Sequence, residues 1–549
     1  MRKVCLIVFV LVFFLTSLAF AQDNIKILEQ ARKLVEAKSY NDALKLYEQL
    51  AGWLHSGDPG LLIEWARVYA YADRHKEAIK LFEEVRSRHL QYEKEIILEL
   101  ADQYKWDGQI AKSMEVFNRA LELDKTNSHP LLSKAEVLSW QGKLEEADSL
   151  YDSVLEKEPT NLNALNGKAR IKVWQGYHRK GIADYQNILK NNPDNLDAKE
   201  GLSFAYHWDG RDDKALKTIN ELFAKDPNRK AAKDLYYDIK NSQQPYISQY
   251  NNYSYDKNKL SILSSGLRSG LHIDDLTAVS AIYQWWKFRQ PGKVPATAER
   301  GGLNLSKRLS DVYEVNSFLY YTKFDFSGFS PFTTNTWFTI RPDDIWRFDL
   351  SFDRETVDDI TALNKKIILN SGSVSCDFRP NRWWFYSAKY RRSNYSDDNK
   401  QNTVFLKTEY RLSHKPYVKL YYNYYLSDWK DQKNNGYFNP VSIQAHSLGA
   451  YSGVDFSKRL FMEAQVAPGY ERQNPKANHP TYFGALGIGY SLSQNWVLGV
   501  RGEYFDARDD KYTKGYSKKS VFLSLTYHFG AEHGRLLEAT QSSRPISGK

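Results

Sequence analysis

Four tryptophans set the strongest constraint on this chain. Trp106, Trp140, Trp174 and Trp208 stand 34 residues apart, and each is followed two residues later by a glycine: Gly108, Gly142, Gly176 and Gly210. A fixed period near 34 marks stacked two-helix units, each of which buries its apolar face only against its neighbours. Nearly the same step recurs at a small residue: Ala43, Ala78, Ser113, Ala147, Gly181 and Ala215. Four positions on comes a bulky one: Tyr47, Phe82, Phe117, Tyr151, Tyr185 and Ile219. One helical turn apart, the members of each pair share a helix face. The small one admits a neighbouring helix and the large one fills the gap beside it. Pro159, Pro193 and Pro227 close the last three units, where a proline ends a helix. The glycines fall between helical patterns, at C-terminal cap positions.

From Tyr246 the period drops from 3.6 to 2. Trp346, Phe348, Leu350 and Phe352 alternate with Arg347, Asp349, Ser351 and Asp353. Val418, Leu420, Tyr422 and Tyr424 skip over Lys419, Tyr421 and Asn423. Alternation of this kind gives a strand one apolar and one polar face. About sixteen such segments run from 246 to 529, most of them meeting the ~9–11 residues a tilted membrane strand needs. No helix-period stretch is evident among them. Tight turns such as Pro342-Asp343 alternate with longer polar connections such as Lys430–Pro440. Aromatic pairs near strand ends, Trp285-Trp286 and Trp383-Trp384, suit the interfacial girdles of a membrane barrel. The final segment ends in Phe529, as such barrels commonly do. Lipid tolerates no open sheet edge, so strands of this type close on themselves.

The N-terminus carries an address. Met1-Arg2-Lys3 is basic, Val4 to Leu18 is apolar, and Ala19-Phe20-Ala21 is a small-x-small cleavage pattern. Together they read as a secretory signal peptide. Charge divides unevenly: residues 22–245 carry 34 Lys+Arg against 37 Asp+Glu, whereas 246–549 carry 40 against 29. A basic C-terminal half in an exported chain points to lipid headgroups, lipopolysaccharide or an anionic polymer or solute before nucleic acid. Two cysteines, Cys5 and Cys376, provide neither a disulfide framework nor a cysteine metal site. The histidines lack metal-ligand spacing, Gly266-Leu267-Arg268-Ser269-Gly270 lacks a central nucleophile, and no cofactor motif is found.

The small–large pairs, the following prolines and the 34-residue beat resemble the tetratricopeptide (TPR) repeat, with about six units over residues 24–240. The order of signal, repeats and barrel resembles the YaiO-type outer-membrane proteins, and is similar in layout to exopolysaccharide export porins. The expected fold is α+β multidomain: an N-terminal TPR α-solenoid followed by an antiparallel transmembrane β-barrel. The expected segments are a signal peptide (1–21), a periplasmic repeat domain (22–245), an outer-membrane barrel (246–529) and a disordered tail (530–549). The resemblance implies a repeat module that gathers a polysaccharide, or a periplasmic or inner-membrane synthase partner, and a barrel that passes the polymer outward. A general porin or protein-binding assembly scaffold and a barrel-embedded enzyme remain the alternatives, the enzyme being the one without a motif.

Two sets of candidate ligand-binding residues follow. Trp106, Trp140, Trp174 and Trp208 form a row on the concave wall of a TPR stack. Indoles there either stack on sugar rings or fill space between repeats, and both readings stand. Arg347, Asp349, Asp353, Lys407, Glu409, Arg411, Lys419, Arg501 and Glu503 lie on the polar faces of strands, hence inside a barrel. They either line a selective pore or pair with one another in a largely closed lumen.

Overall fold

The computed structural model describes residues 22–56, 58–325, 328–414, 416–457, 459–474, 478–507 and 516–530. The expected signal peptide and the tail beyond residue 530 lie outside these. The chain forms two compact units that divide between Ile171 and Lys172.

In the first unit, helix α1 covers 22–36. Six further helices are α2 (Tyr40–Gln49), α3 (Ala51–Ser56), α4 (Pro59–Tyr71), α5 (His75–Arg88), α6 (Glu93–Trp106) and α7 (Ile110–Leu123). Then come α8 (His129–Trp140), α9 (Leu144–Lys157) and α10 (Leu162–Trp174), the last running across the boundary. The small–large pairs form the core: Ala43, Ala78, Ser113 and Ala147 are 0% exposed, as are Tyr47, Phe82 and Phe117. The turn that ends each tryptophan helix needs a left-handed residue. Gly108 takes φ +79°, and the Gln109 amide reaches back to the Tyr104 carbonyl at 2.9 Å. In the second repeat Asp73 takes that conformation (φ +57°) with the same backward bond, Arg74 to Tyr69 at 2.9 Å.

The second unit opens with α11 (His178–Asn191), α12 (Leu196–Trp208), α13 (Asp212–Phe223) and α14 (Lys230–Ser242). The strands follow: β1 (Tyr246–Asp256), β2 (Ser261–Asp274), β3 (Thr277–Arg289), β4 (Ala296–Arg308), β5 (Tyr313–Phe324), β6 (Phe332–Ile340), β7 (Trp346–Thr356) and β8 (Ile368–Phe378). They continue as β9 (Trp384–Tyr395), β10 (Lys400–His414), β11 (Tyr417–Trp429), β12 (Ser442–Asp455), β13 (Leu460–Asn474), β14 (Asn478–Ser491), β15 (Trp496–Ala507) and β16 (Tyr516–His528). These sixteen strands make one closed antiparallel barrel among the described residues, with β1 pairing β16 from Tyr246↔His528 to Asp256↔Lys518. Large apolar side chains such as Leu267, Leu303, Leu350, Leu406 and Leu486 stand exposed on its outer face. Closure leaves no unpaired strand edge, which a bilayer requires.

One connection departs from the expected all-strand pattern. Between β7 and β8 lies a short helix, α15 (Ile360–Asn364), capped by the Asp359 carboxylate, which accepts from the Thr361 and Ala362 amides at 2.7 and 3.2 Å. It is too short to leave a periodic signature in the sequence.

Helices α11 to α13 are fastened to the short-turn end of the barrel. Asp344, in the β6–β7 turn, accepts from the backbone amides of Arg179 and Lys180 at 2.8 and 3.1 Å, so a carboxylate of the barrel caps the N-terminus of α11. Asp311, in the β4–β5 turn, receives Lys214 at 2.7 Å and Arg211 at 3.1 Å. Burial pushes the Asp311 carboxyl up, but the Lys214 hydrogen bond and the charges of Arg211, Lys214 and Arg179 outweigh it and hold the group below its ordinary value. A carboxyl depressed by folding contributes stability above its unfolded pKa, and that contribution disappears as pH falls through the lower folded value. Acidification below about pH 4 should therefore raise amide exchange in α11 to α13, after correction for intrinsic rates. Asp311→Asn should show the raised exchange already at neutral pH. Exchange that ignores both changes would rule the carboxylate out as a fastening group.

Candidate functional site

Every residue expected on the polar strand faces points into the barrel. The concave side is identified by contacts that leap a strand. Gln465 of β13 donates to the Tyr421 hydroxyl of β11 at 2.7 Å, passing over Gly449 of β12, where any β-carbon would collide with the Tyr421 ring. Side chains of alternate strands meet this way only on the inside of a curved sheet. Arg347 pairs with Asp349 at 3.0 Å, and Thr339 donates to the same carboxylate at 2.5 Å. Arg391 lies 3.5 Å from Asp353 and 3.4 Å from Glu355. Glu409 is held between Lys407 and Lys419, the latter at 2.9 Å. Arg501 bridges Glu463 and Glu503, the latter at 2.7 Å. Of the nine inward candidates eight are thus ion-paired, in pairs or triads. Arg411 stands apart, its guanidinium 5.1 Å over the Tyr417 ring.

The wall made by β2 to β6 carries different chemistry, which the reading of the sequence missed. Trp337 of β6 stacks on Phe318 of β5 at 5.9 Å, and Phe318 on Tyr320 at 5.8 Å. Arg300 of β4 lies 5.0 Å over Tyr320 and 4.1 Å over Trp286 of β3. Arg268 of β2 lies 5.8 Å over Phe318. The result is one chain of flat, half-buried groups climbing the lumen. Trp286 corrects the girdle expectation: neighbours in a strand face opposite sides, so only Trp285 of that pair can face lipid. Glycines make the room. A β-carbon at Gly302 would strike Tyr320, and one at Gly266 or Gly270 would strike Tyr250 or Tyr246. The Gly-x-Arg-x-Gly spacing around Arg268 was the available signal, since it places a cation between two gaps on one face.

At the long-loop end the β7–β8 connection packs against the inner wall. Ile360 and Leu363 of the β7–β8 connection join Leu260, Phe288, Ala296, Ala298, Phe324 and Phe329 in a buried apolar cluster. The connection therefore folds inward over the β1–β5 wall and does not stand out in solvent.

The tryptophan row is not core. Trp106, Trp140 and Trp208 are 54%, 44% and 44% exposed, whereas Trp65 in the second repeat is 5% exposed and does fill the interior. Trp174 is half-buried. Within the first unit the Trp106 and Trp140 rings lie 5.6 Å apart, and the Lys105 ammonium sits 4.7 Å over Trp106. Within the second, Trp208 packs against Phe204 at 5.7 Å and His178 at 6.3 Å.

Comparison with known proteins agrees with this architecture. Residues 295–451 match the PgaA membrane beta barrel domain, and residues 175–237 match the tetratricopeptide repeat. No curated protein matches the chain in sequence. Among solved structures, a bacterial polysaccharide outer membrane secretin is 13% identical, with 52% of this chain and 99% of its own covered at a TM-score of 0.43. A tetratricopeptide repeat protein from Parabacteroides merdae is 16% identical, covering 39% of this chain and 85% of its own at a TM-score of 0.34. MamA from Desulfovibrio magneticus RS-1 is 16% identical, covering 32% of this chain and 98% of its own at a TM-score of 0.26. The two family matches thus fall within the strand region and on the helices that precede it.

Proposed function

We propose that the chain exports a surface polysaccharide across the outer membrane, with the helical repeats and short turns in the periplasm and the long loops outside. The observation that carries this reading is a closed sixteen-stranded barrel of PgaA type joined directly to TPR helices, with a lumen lined by polar and aromatic side chains. About sixteen strands enclose an aqueous bore, whereas about eight leave room only for side chains. The barrel then spans residues 246–529 and the periplasmic module 22–245, matching the change from helix to strand between Ser242 and Tyr246. Exposed indoles at one repeat step offer flat faces to sugar rings, so the repeats receive either the polymer or the synthase that makes it. The paired ions of the lumen supply hydrogen-bonding capacity to a hydroxylated solute without strong net charge on that wall.

The test is genetic. Deleting the gene should remove one polysaccharide from the cell surface while the same polymer is still synthesised and accumulates inside. Unchanged surface polymer would sink the export reading and leave the scaffold alternative.

A further inference from the structure

We propose that the lumen selects acidic saccharides, recognised by arginines that the barrel leaves without carboxylate partners. The inference rests on the export reading and names its substrate class. Arg268, Arg300, Arg379 and Arg411 all lie along the inner wall or its short-turn rim. Each sits over an aromatic ring: Phe318 at 5.8 Å, Trp286 at 4.1 Å, Phe385 at 5.4 Å and Tyr417 at 5.1 Å. None has a carboxylate within ion-pair distance among the described residues. The lumen acids contrast with them. Asp349, Asp353, Glu355, Glu409, Glu463 and Glu503 all hold cations. Asp377, hydrogen-bonded to Ser387, and Glu471, hydrogen-bonded to Gln473, are the exceptions on the inner faces of β8 and β13. On the wall made by β2 to β6, where Arg268 and Arg300 bond only to hydroxyls, the unmatched charge is therefore positive.

The geometry leaves those cations available. Stacking on a ring occupies the face of a guanidinium and leaves its in-plane N–H donors for other partners. Arg300 uses Nε on Thr322 at 3.0 Å, and Arg268 uses one Nη on Ser280 at 3.3 Å. The remaining donors form the planar fork that fits a carboxylate or sulfate in two parallel hydrogen bonds. Arg268 stands beside Phe318 and Arg300 between Tyr320 and Trp286 along the same path. A sugar ring thus finds an aromatic face where its acidic substituent finds a guanidinium. A neutral polymer would use the rings alone, and a polyamine would be repelled by the arginines.

The experiment uses the full chain in detergent micelles, titrated calorimetrically with tetragalacturonate, cellotetraose and the fully deacetylated glucosamine tetramer. The acidic tetramer should bind about tenfold or more tighter than the neutral one, the scale of one charged hydrogen-bond pair. That advantage should shrink as salt is raised and vanish in Arg268→Gln/Arg300→Gln. Trp286→Ala should weaken acidic and neutral tetramers alike. Heat-modifiable migration on gels checks that each variant is folded. Should the double variant fail that check, Arg379→Gln/Arg411→Gln at the rim makes the same comparison. An acidic tetramer no tighter than the neutral one, or a glucosamine tetramer that binds best, would overturn the inference and leave export standing. Binding of none of the three would count against the export reading itself.

Discussion

Replacing residues 357–367 with a short Gly-Ser turn should widen the bore of the barrel. Single-channel conductance in planar bilayers should rise several-fold, and cells carrying the variant should become sensitive to large antibiotics. The segment is held inside by burial. Ile360, Ala362, Leu363 and Ile367 are 2%, 0%, 0% and 3% exposed. Full burial of an aliphatic side chain contributes about 1.5–3 kcal/mol, so the three larger side chains together far exceed thermal energy and the segment does not swing out unaided. Polar contacts pin it from both sides. Lys293 donates to Thr361 at 2.6 Å, and Lys365 donates to the Asn434 carbonyl at 3.0 Å. Gly436 packs so closely on Asp359 and Thr361 that a β-carbon there would collide with both. Leu363→Asp is the milder form of the experiment. It puts an unpaired carboxylate into an apolar cluster and should favour the open segment without shortening the chain. Because β7 and β8 pair from Trp346↔Phe378 to Thr356↔Ile368 independently of the loop, the barrel should still fold. Unchanged conductance in both variants would show that the constriction lies elsewhere.

Much of this architecture is legible in residue spacing, and the exceptions have physical causes. The 34-residue beat locates the TPR core because one small and one large residue per unit must meet at every helix contact, as the fully buried Ala78 and Phe82 show. Strand positions are legible because lipid forces a strict alternation, and Leu350 and Asp349 separate to opposite faces as expected. What alternation cannot reveal is which inward cations lack partners. Arg347 and Arg411 look alike in the sequence, each two residues from an acid on its own face. Yet Arg347 keeps Asp349, while Glu409 is claimed by Lys407 and, across the register of β10 with β11, by Lys419, which leaves Arg411 over Tyr417. The same limit hid the aromatic path from Trp337 to Trp286, whose members belong to four strands. Asp73 shows a different kind of blindness. It occupies a left-handed turn that glycine fills in later repeats, and tolerance for that conformation is a property of the backbone and not of a pattern. The helix α15 was missed because five residues are too few for a period.

Phe117→Ala should cost about 3–5 kcal/mol, the range for deleting a fully buried aromatic side chain. Phe117 is 0% exposed, sits on the inner face of α7, and lies in the core cluster with Leu100, Ala101, Tyr104 and Ala120. A folded domain has only about 5–15 kcal/mol in hand, so a loss of this size is enough to open a repeat. The opening should spread, because a repeat array is stabilised chiefly by contacts between neighbours. Hydrogen–deuterium exchange on the full chain should show loss of protection in α6 and α7 first, then in α5 and α8, while the barrel strands stay protected. Trp106→Ala is the matched comparison. Its ring is 54% exposed, so its removal should leave exchange in α6 and α7 nearly unchanged. The pair of variants separates the two readings of the tryptophan row. If Trp106→Ala opens the helices as Phe117→Ala does, the indoles are structural and the row binds nothing. If only Phe117→Ala does so, the exposed rings are free to meet a ligand, and their 34-residue beat serves that meeting instead of the packing of the repeats.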